Sequence, residues 1–264
     1  MDVFKQELKF QARSIFTWTI SITLTLIVFM AIYPGFAKEA DLLREATASF
    51  PKALLDSIGL DPDLVFEASG FVSYIYGFLQ LILAIMGALY AFQVLAREKA
   101  ARMNDFLFVK PVTRISVVLQ KVLASLLAFL VTNAVIYLVY RTMAELFEID
   151  PENMSIINQI IFGTLLLQVL VFALASVIAV SVKKIRSPSG SATAVSFSLY
   201  LILILGRILD HDLVKKLTPF GYVEPLEITR YGLSLQTIGG MAIASTLLLA
   251  LAALILYRRD LEVS

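Results

Sequence analysis

Six stretches of this chain contain no Asp, Glu, Lys or Arg: residues 14–37, 68–96, 122–140, 153–182, 187–206 and 231–257. Together they make up more than half of the 264 residues. A helix needs about 20 apolar residues to cross roughly 30 Å of hydrocarbon, and each stretch reaches or approaches that length. All are rich in Leu, Ala, Ile and Phe, and none alternates as a barrel strand does. With 59% hydrophobic and 16% charged residues the chain lies outside the range of average soluble domains. The expected fold is an all-α polytopic membrane protein with six transmembrane helices near 14–37, 70–96, 115–140, 156–182, 188–207 and 234–257. These form a single transmembrane domain over 1–264.

The charge between the spans is distributed unevenly. Segments 1–13, 97–121, 183–186 and 258–264 carry 14 Lys/Arg and 6 acids, whereas 38–67, 141–153 and 207–230 carry 8 Lys/Arg and 15 acids. The positive-inside rule places the first group, and with it both termini, in the cytoplasm. Residues 1–13 read as a short amphipathic interfacial (elbow) helix, with Phe4, Leu8 and Ile15 on its apolar side, lying in the interface before turning into the first span. Residues 38–67 and 207–230 read as external elements, the second re-entrant or interfacial. In the first, Pro51 is placed to start a helix that Gly59 ends, and Asp61 precedes Pro62 as a second cap. Trp18, Tyr33, Tyr137, Tyr140 and Tyr257 fall near span ends, where aromatic belts anchor membrane proteins.

Several classes of chemistry are short of residues. The chain has no Cys and one His, which removes thiolate chemistry and leaves no histidine cluster for a metal. Asp210, His211 and Asp212 are adjacent, a poor spacing for ligands on a helix. A net charge of +1 argues against nucleic acid as a partner. No Gly is followed by Lys, so the phosphate-cradling loop of a P-loop ATPase is absent and the chain is not read as an enzyme. An intramembrane hydrolase would need carboxylate pairs or an activated nucleophile within the spans. An ion-coupled carrier or channel, the main alternative reading, usually buries ionisable groups in the bilayer, and the six stretches hold none. Their interior amides Gln80, Gln93, Asn133 and Gln168 are candidates for a translocation path, or for hydrogen bonds between helices.

The basic segment 97–114 carries an apolar patch of Met103, Phe106, Leu107 and Val109, too large for a linker and suited to docking a partner. Within it, Glu98, then Asp105-Phe106-Leu107, Pro111-Val112-Thr113-Arg114, Val118 and Lys121 follow in order. This run resembles the second cytoplasmic signature of ABC-2 type transporter permeases, although Ala100-Ala101-Arg102 stands where Gly-Thr is common. The opening Phe4-Lys5-Gln6-Glu7-Leu8-Lys9 before a Trp-containing span ending Tyr33-Pro34, and the closing Tyr257-Arg258-Arg259-Asp260-Leu261, resemble the same family. Phe50-Pro51-Lys52-Ala53-Leu54-Leu55 with Gly59 is similar to its permease-subunit branch.

The resemblance implies the membrane-spanning subunit of an ABC exporter in a prokaryotic cytoplasmic membrane. It would pair with a second permease subunit, identical or related, and with two cytoplasmic ATPase subunits. This chain would bind no cofactor, with ATP and Mg held by the partner ATPase. Residues 97–114 would form the coupling loop. Arg97, Glu98, Arg102, Asp105, Phe106, Leu107, Phe108, Lys110, Pro111 and Arg114 would face the ATPase, and membrane lipid would surround the rest.

Overall fold

Helix boundaries follow local chemistry. In the computed structural model, which describes residues 3–40, 45–46, 49–102, 114–182 and 185–261, two long helices begin with proline in the first turn behind a capping side chain. Asp150 accepts from the Asn153 amide at 2.9 Å ahead of Pro151, and Ser187 accepts from the Gly190 amide at 3.1 Å ahead of Pro188. Both arrangements satisfy an otherwise orphaned N–H with a proline that lacks one anyway.

Among the described residues nine α-helices form: α1 Val3–Lys38, α2 Lys52–Ile58, α3 Ala68–Arg102, α4 Arg114–Leu146, α5 Pro151–Ser181, α6 Pro188–Ile208, α7 Asp212–Lys215, α8 Pro225–Tyr231 and α9 Leu235–Leu261. A short 3-10 turn, Pro219–Tyr222, separates α7 from α8. Six of the helices (α1, α3, α4, α5, α6 and α9) are long and apolar enough to cross a membrane, so the fold is an all-α polytopic one. In α2, Pro51 precedes the first turn and Gly59 ends the helix in the left-handed region at φ 69°. Asp61 caps a run of turns over 61–65 rather than a helix, its Oδ1 accepting from the Asp63 amide at 2.9 Å.

α3 and α5 form the centre. Two thirds of the most apolar stretch of each is buried, against 17% for α1 and α9, which are therefore left to lipid or a partner. α1 packs along α4, α9 along α5, and α6 along α3. Tyr90 of α3, Phe129 of α4 and Phe172 of α5 lock the inner layer together, with ring centroids 5.6 and 5.5 Å apart.

α3 and α5 approach closely at Gly87, where an added Cβ would come within 2.7 Å of the Gln168 carbonyl oxygen. Glycine inside a helix normally costs about 0.5–1 kcal/mol relative to alanine. At Gly87 the sign should reverse. Gly87→Ala is expected to cost about 1–3 kcal/mol by overpacking, whereas Gly77→Ala on the same helix, with nothing within 4 Å, should be neutral or stabilising. Thermal unfolding of the two variants in detergent tests this, and equal midpoints would refute the close crossing.

The N-terminal segment is helical and runs on into the first span: α1 is one helix of 36 residues. Its inward side there is polar, not apolar. Glu7 and Gln11 are buried, Gln11 Nε2 donates to Glu7 Oε1 at 2.9 Å and to Ser125 Oγ at 3.2 Å, and Phe10 is exposed. With no Gly or Pro before Pro34, and with α4 supplying polar partners, the helix has no reason to break. Tyr140 is fully buried beside Met154, its hydroxyl 3.6 Å from the Met154 sulfur, so it is a packing residue and not an interfacial anchor.

Candidate functional site

Where α9 begins, Leu233 N–H donates to Gln159 Oε1 of α5 at 2.7 Å. α6 ends at Ile208 on the same side, so the membrane boundary there lies near these residues. The starts of α3 and α5 lie beyond it, both helices pack against α8, and α5 also packs against the 3-10 turn. That accounts for stretches of 29 and 30 uncharged residues where about 20 suffice to span. Asn153 joins the two helix starts, its Oδ1 accepting from the Ser69 amide at 2.8 Å.

From this cap the chain dips back into the bundle. Gln80 Nε2 of α3 donates to the Val223 carbonyl at 2.8 Å and to Thr164 Oγ1 of α5 at 3.2 Å. Thr164 lies about 8 Å along α5 from Gln159 at 1.5 Å per residue, so this contact stands inside the membrane boundary. Irregular backbone at such depth persists only where side chains satisfy its polar groups, and Gln80 does that for Val223. Phe220 and Val223 are fully buried beside it, and the Tyr200 ring of α6 stands 5.4 Å from that of Phe220 in an edge-on arrangement. A second polar contact crosses the core one layer away: Asn133 Nδ2 donates to Gln168 Oε1 at 2.8 Å and to the Phe129 carbonyl at 2.9 Å.

Three of the four path candidates, Gln80, Asn133 and Gln168, are therefore engaged between helices in this conformation. Gln93 alone among them borders open space, a cleft of ≈ 550 Å³ lined also by Phe10, Arg13, Ser14, Thr17, Trp18 and Pro188. Of the expected ATPase-facing residues, Asp105, Phe106, Leu107, Phe108, Lys110 and Pro111 lie outside the described residues. Arg97, Glu98 and Arg102 continue α3 as its last turns, and Arg114 opens α4.

The most polar buried feature escapes a search for uncharged windows, because both its charges stand just outside them. Arg207 Nε, at the end of α6, donates to Glu224 Oε1, just before α8, at 2.7 Å, and both side chains are 5% exposed. Arg207 Nη1 also donates to the Ser57 carbonyl of α2 at 3.4 Å. Gly59 lies against the guanidinium: a Cβ there would sit 2.9 Å from Nη1. One ion pair thus joins α2, α6 and the segment before α8. A second pair, Arg230 with Asp61, ties α8 to the turn that follows α2. Partial burial opposes ionisation of Asp61, but the hydrogen bonds from Arg230 and the Asp63 amide, with the Arg230 charge, hold its carboxyl below the ordinary carboxylate range. The sequence signal for both pairs is slight, since 17 positions separate Arg207 from Glu224 and 169 separate Asp61 from Arg230.

Compared with known proteins, residues 1–255 match a family model described as ABC-2 family transporter protein. No curated protein and no solved structure matches.

Proposed function

Because the chain belongs to the ABC-2 family of transporter proteins, we propose that it forms the translocation path of an ATP-driven exporter and is powered by ATPase subunits docked on its cytoplasmic side. Family membership makes it a membrane permease of an ABC transporter; its coupling to a separate ATPase and the direction of transport belong to the proposal. The observation that carries it is the family match over nearly the whole chain, coincident with six apolar helices.

The segments with the basic excess face the cytoplasm of a prokaryotic cell, and the acid-rich elements face outward. Two permease subunits, identical or related, meet around the path. Two ATPase subunits hold ATP and Mg, since this chain has no P-loop with which to do so. Residues 97–114 are the coupling loop: Phe106, Leu107 and Phe108 supply the apolar contact, and Arg97, Glu98, Arg102, Asp105, Lys110 and Arg114 the polar ones. Closure of the ATPases on ATP draws the two loops together and shifts the population of the bundle between inward- and outward-facing arrangements. Gln80, Asn133 and Gln168, now engaged between helices, are the polar groups such a rearrangement exposes to the path.

The test is purification of the full chain from its native host. A soluble ATPase is expected to copurify, and hydrolysis is expected only from the assembled complex. Robust ATPase activity from this chain alone, or uptake driven by an ion gradient in liposomes without any ATPase, would overturn the reading.

A further inference from the structure

α7 ends in two consecutive lysines with different surroundings. Lys215 Nζ lies 3.6 Å from Asp212 and 3.9 Å from Asp210, and is neutralised by them. Lys216 is exposed, and among the described residues its side chain has neither an ion pair nor a hydrogen bond. It borders a cavity of ≈ 490 Å³ between α5, the 3-10 turn and α9. That volume is within the range of small-ligand pockets, about 300–1,000 Å³.

The lining changes character with depth. Lys216, Tyr222, Ser234 and Thr237 stand at the membrane boundary, and Leu170, Met241 and Ala244 form the floor. At 1.5 Å per residue, Leu170 lies about 16 Å beyond Gln159 along α5 and Ala244 about 14 Å beyond Leu235 along α9. A cation and hydroxyls at headgroup level thus stand over an apolar wall that reaches well into the hydrocarbon. An unpaired cation at an interface seeks phosphate, and an apolar wall at that depth seeks an acyl chain.

We infer that this cavity binds an anionic phospholipid of the leaflet adjoining α7 and α8, with its phosphate on Lys216 and an acyl chain along Leu170, Met241 and Ala244. None of the path candidates Gln80, Gln93, Asn133 and Gln168 lines this cavity. A bound lipid bridges α7, α5 and α9, and so holds the mostly exposed α9 against the centre of the bundle.

The full chain, purified in detergent and titrated with phosphatidylglycerol or phosphatidylcholine under native mass spectrometry, reads this out without any ATPase. The wild type should retain phosphatidylglycerol at least tenfold more tightly than phosphatidylcholine. Lys216→Glu should abolish that preference and Lys216→Arg should keep it. Met241→Trp, which fills the floor and leaves the charge, should also lose the lipid. Three results would overturn the inference. Lys216→Glu could bind phosphatidylglycerol like the wild type. Inorganic phosphate could displace the lipid while Met241→Trp has no effect, marking a soluble-anion site. Gly240→Cys, in a chain otherwise free of cysteine, could form a disulfide-linked dimer in lipid bilayers, marking contact between two copies.

Discussion

Replacing Glu224 with Leu, or Arg207 with Met, will destabilise the protein far more than replacing both. Each single change leaves one charge buried at the junction of α2, α6 and α8 without its counter-ion. Removing one partner of a buried pair costs about 3–5 kcal/mol, whereas exchanging both for apolar residues of similar volume is often neutral or stabilising. Thermal or denaturant unfolding in detergent measures the difference, and the double variant closes the cycle. A loss in the double variant equal to the sum of the two single losses would show that the side chains act independently and that the ion pair is not the tie. Gly59→Ala provides an orthogonal check. It combines a left-handed backbone with a Cβ 2.9 Å from the guanidinium, so it too should loosen the cap, with both charges still in place.

The second large effect is on assembly. Phe106→Asp combined with Leu107→Asp should abolish association with the ATPase subunit and leave the thermal midpoint of the membrane domain unchanged. Truncating a buried apolar anchor in an interface costs about 2 kcal/mol or more. Two such losses weaken binding about a thousandfold, before the cost of burying the new carboxylates is added. Pull-down of the ATPase by the permease variant reads the effect directly. Undiminished association would remove these residues from the interface, and a large fall in midpoint would assign them to the membrane core instead.

The spans were legible because lipid imposes one strict condition, and the lack of charge over about 20 residues records it. What lipid does not touch was harder to read. The polar side of α1 faces α4 because Ser125 and Gln120 are there to receive it: Gln11 donates to Ser125, and Gln120 Oε1 accepts from the Phe4 amide at 3.1 Å. An amphipathic pattern shows that two sides differ, but not which neighbour will take the polar one. Tyr140 sits at a span end, as a belt residue would, yet α5 rises beside it and buries it. The Arg207–Glu224 pair joins residues that only the return of the chain after α6 brings together. The Gln80 to Val223 contact likewise connects residues 143 positions apart. Side-chain type marked Gln80 and Gln168 as notable; their partners were three-dimensional facts.

That long separation has a consequence for how the protein is made. Chains emerge from the N-terminus, so α3 and α5 are complete before residue 223 is synthesised. Until then the amide of Gln80 and the backbone of the returning segment each lack the other, in surroundings that leave few polar groups unsatisfied without cost. The polar contact around Gln80 is therefore completed only when the returning segment arrives; before that Gln80 has Thr164 alone among these two partners. α9 comes last and covers the assembled face. Truncation before Val223 should leave α3 and α5 exposed to membrane quality control, whereas truncation within the last turns of α9 should not.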